Sequence, residues 1–153
     1  MKPKLMLLTL LSISTLFTAL PAQSQTKPNQ VGPSLSFGNN STAVFGIDSR
    51  FPVTSNISVR PTLRFPSGGI VIGSSATYDF DLSGTDSRIE PYLGAGLNAY
   101  TGDNNQNGAN VTGYAIGGVD YSLNDQFLLK GSVAVPFNSQ YSTDFTVGVG
   151  YKF

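Results

Sequence analysis

The chain has 153 residues, with nine Lys/Arg, nine Asp/Glu, no Cys and no His. Lack of Cys removes disulfides, thiol nucleophiles and thiolate metal sites, and lack of His removes the commonest general base and metal ligand. Ser-His and Cys-His hydrolases, His-dependent lipid-modifying enzymes and most zinc sites are thereby excluded, and the balanced charge offers no nucleic-acid surface.

Residues 1–24 read as a secretory signal peptide. Lys2 and Lys4 form a charged start, Leu5 to Leu20 an apolar run, and Pro21 a break before the small residues of Ala22-Gln23-Ser24. The apolar run is short for a membrane span, so cleavage is expected. Residues 25–30 are expected to be a flexible lead-in and residues 31–153 a single domain. Residues 25–153 carry seven Lys/Arg and nine Asp/Glu.

Eight segments of alternating character follow, separated by clusters of Gly, Pro, Asn, Asp and Ser. The spacing predicts strands at 31–38, 42–51, 56–65, 70–82, 88–100, 110–122, 127–137 and 141–153. Pro66-Ser67-Gly68-Gly69 reads as a tight turn, Leu123 to Gln126 as a hairpin turn, and residues 101–109 as the longest polar loop. Within that loop Asp103-Asn104-Asn105-Gln106-Asn107-Gly108 matches half of a calcium loop. Tyr114 stands where the bidentate Glu belongs, so a solvated surface loop is the better reading. Most strands have the length needed to cross a bilayer at a tilt, about 9–11 residues or slightly more. No segment outside the signal has a helical period of useful length. The Gly-rich runs alternate within strands, where Gly makes room for neighbours, and are not phosphate loops.

The period of two sorts side chains onto two faces. In the third segment Ile57, Val59, Pro61, Leu63 and Phe65 oppose Ser58, Arg60, Thr62 and Arg64. All the charges placed inside strands fall on one class of face: Asp48, Arg50, Arg60, Arg64, Asp79, Asp81, Arg88, Glu90, Asp120, Lys130 and Lys152. A soluble barrel would turn this face to water and a membrane barrel would turn it to the lumen. The aromatics choose the second. Phe37, Phe45, Phe65, Phe137 and Phe145 gather at one end of the strands, with Phe51, Phe80, Tyr121, Phe127, Tyr151 and Phe153 at the other. Two bands of rings are the girdles of a lipid–water boundary. The expected fold is therefore all-β, an eight-stranded antiparallel up-and-down transmembrane barrel. Counting across hairpins pairs Asp120 with Lys130, Asp48 with Arg60, and Asp79 or Asp81 with Arg88.

Three stretches resemble the small outer-membrane β-barrel family of OmpA/OmpX-type and opacity-protein-like barrels. Glu90-Pro91-Tyr92-Leu93-Gly94-Ala95-Gly96-Leu97 resembles its P-Y-x-G-x-G strand. Gly113 to Leu123, with Gly117-Gly118-Val119-Asp120-Tyr121, then Phe127-Leu128-Leu129, resembles its G-x-G-[VL]-[DE]-Y hairpin. The final run Phe145-Thr146-Val147-Gly148-Val149-Gly150-Tyr151-Lys152-Phe153 resembles its C-terminal signal, carried by Phe145, Val147, Val149, Tyr151 and Phe153. The match covers roughly the C-terminal half, and the loops are shorter than in adhesive members.

The resemblance implies export to the bacterial outer membrane. It also implies contact with the lipid bilayer and lipopolysaccharide, recognition by the barrel assembly machinery, and a lumen-facing Asp120. With Phe153 at the periplasmic end, the turns at 83–87 and 123–126 are periplasmic. Those at Gly38, Pro66, 101–109 and 138–140 face outward. The leading expectation is a structural or anchoring barrel without catalytic, cofactor or metal sites. The alternatives are a narrow or gated porin-like channel, a lipid-modifying enzyme, and a soluble periplasmic barrel.

Overall fold

A computed structural model describes residues 27–38, 42–82, 88–102 and 110–153. The expected signal peptide, the turn residues 39–41 and 83–87 and the half-calcium-loop run at 103–109 lie outside the described residues. Eight strands are formed: β1 Gln30–Phe37, β2 Ala43–Pro52, β3 Ile57–Arg64, β4 Gly69–Asp79, β5 Ile89–Gly102, β6 Asn110–Ser122, β7 Phe127–Pro136 and β8 Asp144–Lys152. Each pairs antiparallel with the next, and β1 pairs antiparallel with β8, which closes the barrel. At the seam Asn29 and Phe153 exchange both backbone hydrogen bonds, at 3.1 and 3.0 Å.

Several strand edges differ from the alternation, and three of the differences are instructive. β1 begins one residue earlier, taking Gln30 out of the expected lead-in, because Gln30 sits opposite both Arg50 and Lys152. β4 stops at Asp79, and Asp81 and Leu82 beyond it are exposed. β8 starts only at Asp144, since the chain from Asn138 to Tyr141 is folded into a turn with Tyr141 N donating to Asn138 O at 3.2 Å. Alternation marks which face a residue would take and is blind to where pairing stops.

Two described turns at the end of the barrel holding Asn29 and Phe153 share one design. Val53 and Thr54 donate to the Ile57 carbonyl, and Leu123 and Asn124 donate to that of Phe127. The side chain of the second turn residue then takes two backbone amides: Thr54 Oγ1 from Asn56 and Ile57, and Asn124 Oδ1 from Gln126 and Phe127. These are the local side-chain acceptors that stabilise tight turns. At the opposite end Gly69 N donates to Pro66 O at 3.3 Å, and Gly68 has φ +88°. That is the third turn position of a type II turn, where Gly is the residue without a steric penalty.

Closure leaves an apolar exterior. Leu93, Leu97, Val111, Val135, Phe137, Phe145 and Val147 are all strongly exposed, Leu97 at 61%. The aromatic bands are in place. At one end Phe45 stacks on Phe65 at 6.2 Å; at the other Tyr78 meets Phe80 at 5.1 Å and Phe127 meets Tyr151 at 5.6 Å. The buried side is largely polar, with Gln30, Ser34, Ser36, Arg50, Ser58, Arg60, Arg64, Ser75, Thr77, Asp79, Asp120 and Thr146. Tyr92, Tyr114, Ile116, Leu128 and Ala134 complete it.

The two buried tyrosines are seated by glycines across the β5–β6 ladder. Tyr92 is paired with Gly118 and Tyr114 with Gly96. A Cβ on Gly118 would lie 2.5 Å from the Tyr92 hydroxyl oxygen and 2.5 Å from the Gly131 carbonyl oxygen, and one on Gly96 would lie 2.7 Å from Tyr114 Cζ. Each ring therefore lies over a glycine of the neighbouring strand, a cross-strand arrangement known to support glycines in sheets. Gly118→Val is expected to cost about 1–3 kcal/mol through overpacking. Gly131→Ala, whose Cβ would meet nothing within 4 Å, should be neutral within about 0.5 kcal/mol. Denaturant unfolding of both variants in lipid vesicles checks the contrast; equal losses would refute the seating.

Candidate functional site: the charged interior

Five side chains from five strands form an alternating chain of charge inside the barrel. Arg50 of β2 is 0% exposed, and its Nη1 donates to Glu90 Oε2 at 2.6 Å and Asp120 Oδ2 at 3.2 Å. Arg60 of β3 donates from Nη1 to the same Asp120 oxygen at 3.0 Å and from Nη2 to Asp79 Oδ1 at 3.1 Å. The order is thus Glu90, Arg50, Asp120, Arg60, Asp79. Arg60 also donates from Nε to Thr77 Oγ1 at 3.1 Å, and its guanidinium lies 3.5 Å from the centroid of the Tyr92 ring. Ser58 Oγ donates to Asp79 Oδ2, and Thr77 Oγ1 to Asp79 Oδ1. With its carboxamide oxygen facing Arg50, Gln30 accepts from Nε, Nη1 and Nη2 at 3.0–3.3 Å. Lys27 Nζ stands 3.8 Å from Glu90 Oε2.

Burial dictates this order. Removing a carboxylate or a guanidinium from water costs several kcal/mol, and only a partner of opposite charge with good hydrogen bonds offsets it. Each arginine here lies between two carboxylates, and Asp120, 2% exposed, lies between two arginines. Planar guanidinium stacking on Tyr92 adds a cation–π contact in a desolvated place, where such contacts are strongest.

The other charges named from the sequence are placed differently. Lys130 is opposite Asp120 in the ladder, yet the ion pairs of Asp120 are with the two arginines, and Lys130 Nζ reaches the Asp48 carbonyl at 3.4 Å. Asp48 is opposite Thr62, and the acidic partners of Arg60 are Asp79 and Asp120. Asp79 is held by Arg60 and Ser58, so of the two acids expected opposite Arg88 it is Asp81 that is left for that role. Asp81 and Arg88 lie outside β4 and β5 and are exposed, with Arg88 5.9 Å from the Tyr121 ring centroid. Lys152 donates to Ser122 Oγ at 2.8 Å and Asn124 O at 3.0 Å. Arg64 approaches Asp144 at 3.6 Å. For Asp120 the cause is reach across the barrel, since Arg50 and Arg60 span the interior from strands that hairpin counting never sets opposite it.

Gln30, Ser58, Thr77 and Tyr92 were not singled out from the sequence. The available signal was parity, since Ser58 and Tyr92 share the face of the charged residues on their strands, Thr77 that of Asp79, and Gln30 that of Ser34 and Ser36. On β8, Phe145, Val147, Val149, Tyr151 and Phe153 all lie on the exposed side. Among the described residues no group of three His, Cys, Asp or Glu is arranged to hold a metal ion. Within the chain from Glu90 to Asp79 each charge is held against one of opposite sign.

Two cavities lie inside the barrel, and the smaller adjoins this network at Arg60. One, about 20 Å³, is lined by Asp48, Arg60, Thr62, Arg64, Lys130 and Ser132 among others. The larger, about 280 Å³, lies at the end opposite the chain termini, and Arg64 borders both.

Comparison with solved structures places the fold. A de novo designed transmembrane β-barrel superposes with a TM-score of 0.68 at 16% identity, covering 86% of this chain and all of the other. The N-terminal β-barrel domain of Pseudomonas aeruginosa OprF gives 0.64 at 15% identity, covering 82% of this chain and 96% of that domain. Neisserial surface protein A gives 0.51 at 21% identity, covering 82% and 94%. The chain thus has the fold of the small eight-stranded outer-membrane barrels, in keeping with the OmpA/OmpX-type resemblance. No protein-family model and no curated protein matches the sequence.

The network yields an energetic prediction. Asp120→Ala leaves two buried arginines short of a partner and is expected to cost about 3–5 kcal/mol. A double-mutant cycle between Arg60 and Asp120 should show a coupling of about 0.5–3 kcal/mol, with a smaller one between Lys130 and Asp120. Unfolding in lipid vesicles measures both; additive effects at Arg60 and Asp120 would break the proposed chain of charge.

Proposed function

We propose that this chain is an integral outer-membrane barrel with a structural or anchoring role, its lumen closed by its own charged side chains. The observation that carries this reading is the inversion of the molecule. Ionised groups are paired inside, as in Glu90–Arg50–Asp120–Arg60–Asp79, while leucines, valines and two bands of aromatic rings cover the outside. Such an exterior is stable against hydrocarbon and would drive aggregation in water. An eight-stranded barrel is just wide enough for side chains to fill, and here the filling includes the buried Arg50 and Arg60.

Residues 1–24 act in this reading as the export signal. The outward face of β8 is the segment that the barrel assembly machinery recognises, and the surrounding lipid and lipopolysaccharide are the principal partners. The end with Asn29, Phe153 and the turns at 53–56 and 123–126 faces the periplasm. The turns at 65–68 and 137–143 face the medium. A balanced, interlocked charge set suits a plug, whereas a conducting filter needs a ring of one sign with room for the ion.

Two measurements test the reading. Purified protein in planar bilayers should be silent; steady openings that shift when Arg60 or Arg64 is replaced would establish the narrow-channel alternative instead. Leu97→Arg, on the exposed face of β5, should cost about 2–4 kcal/mol in vesicles if that face meets the membrane interior. A neutral effect would favour a water-soluble barrel.

A further inference from the structure

The cavity of about 280 Å³ at the end away from the termini takes lining residues from all eight strands and their adjoining turns. Its walls are predominantly apolar, with Val44, Pro66, Val71, Tyr100, Ala134 and Pro136 contributing. Two charged residues, Arg64 and Asp144, border it. Its size is near the lower end of small-molecule pockets, about 300–1,000 Å³.

Arg64 differs from the other two buried arginines in how its donors are met. It is 7% exposed, and its Nε is buried with no hydrogen-bond partner among the described residues. Its Nη2 donates to Thr146 Oγ1 at 3.3 Å, and Nη1 is 3.6 Å from Asp144 Oδ2. Charge-assisted bonds of this type are normally about 2.7–2.9 Å. By contrast, the ion pairs of Arg50 and Arg60 are 2.6–3.2 Å long. The Asp144 side chain is also the more exposed partner, at 35% against 9% for Arg64. A buried guanidinium loosely held by a half-exposed carboxylate, at the border of an apolar cavity, is a group that a better-placed anion would satisfy.

We propose that this vestibule binds a small carboxylate with a flat apolar body. The ligand carboxylate takes the guanidinium of Arg64 in place of Asp144, and its body lies between the apolar walls. The bidentate match of carboxylate to guanidinium supplies orientation, and burial of the flat body supplies affinity. The site does not depend on whether the lumen conducts, because Arg64 closes it on the inner side and the arginine–carboxylate network lies beyond.

Benzoate is a suitable probe and benzamide its neutral counterpart of similar shape. In a titration of the isotopically labelled full barrel in nanodiscs, benzoate is expected to produce saturable amide shifts concentrated at Val44, Val71, Asn98, Thr112 and Ser142. Benzamide should bind about tenfold or more weakly, the usual worth of a hydrogen bond to a charged group. Arg64→Gln should reduce benzoate affinity to that of benzamide. Asp144→Asn, which removes the competing carboxylate, should tighten benzoate and leave benzamide unchanged. Folding of each variant is read from its shift in gel mobility on boiling. If Arg64→Gln fails to fold, the benzoate–benzamide ratio and the Asp144→Asn variant still decide. Equal binding of the two probes, weaker benzoate binding by Asp144→Asn, or no saturable shift at any concentration that leaves the barrel folded would each overturn the proposal.

Discussion

Closure of the sheet between β1 and β8 is the constraint from which the other features follow. Once every strand has two neighbours, no edge remains and the backbone donors and acceptors are satisfied within the wall. The pleat then leaves a side chain only two destinations, inside or outside, and residues i and i+2 share one. A single misplaced residue in one ladder would turn Arg60 to the exterior and Leu63 to the interior, so the register of β3 is held by the same condition that closes the barrel. The reciprocal backbone bonds of Asn29 and Phe153 complete this closure at one end of the seam.

What fills the closed interior is a consequence of its width. An apolar filling is present in part, through Leu128, Ile116, Ala134 and the rings of Tyr92 and Tyr114. The rest is a connected set of charges to which Ser58, Thr77 and Gln30 add hydrogen bonds. Replacing such a set by hydrophobic groups is often no worse for stability. Its distinctive property is geometric: Arg50 joins β2 to β5 and β6, and Arg60 joins β3 to β4 and β6. The network therefore ties opposite walls together, which backbone ladders cannot do. Glycines on β5 and β6 serve the same filling by giving the two tyrosines somewhere to lie.

The interior is graded along its axis. Toward the termini the arginines are enclosed by short ion pairs, and Lys27 and Lys152 lie near the rim. Toward the other end the contacts lengthen at Arg64 and then give way to a cavity with apolar walls. One end of the barrel is thus filled by ion pairs and the other opens on a cavity.

Much of this architecture was legible in the residues. Eight alternating segments, their antiparallel order and the two aromatic bands follow from a period of two interrupted by turn residues, because alternation and turn chemistry are local properties of the chain. The single-face placement of Arg60, Asp120 and Lys130 came from the same parity. The partners of those charges did not, because hairpin counting sees one neighbour at a time. Lys130 stands opposite Asp120 in the ladder, yet Arg50 and Arg60 reach that carboxylate from across the lumen. Nor could alternation show that Gln30 begins β1 while Asp81 and Arg88 fall beyond strand ends, since parity continues past the last paired residue. The sequence by itself therefore determined which side chains face each other's class. Only closure decided which of them touch, because distances across a barrel depend on the curvature and stagger of all eight strands at once.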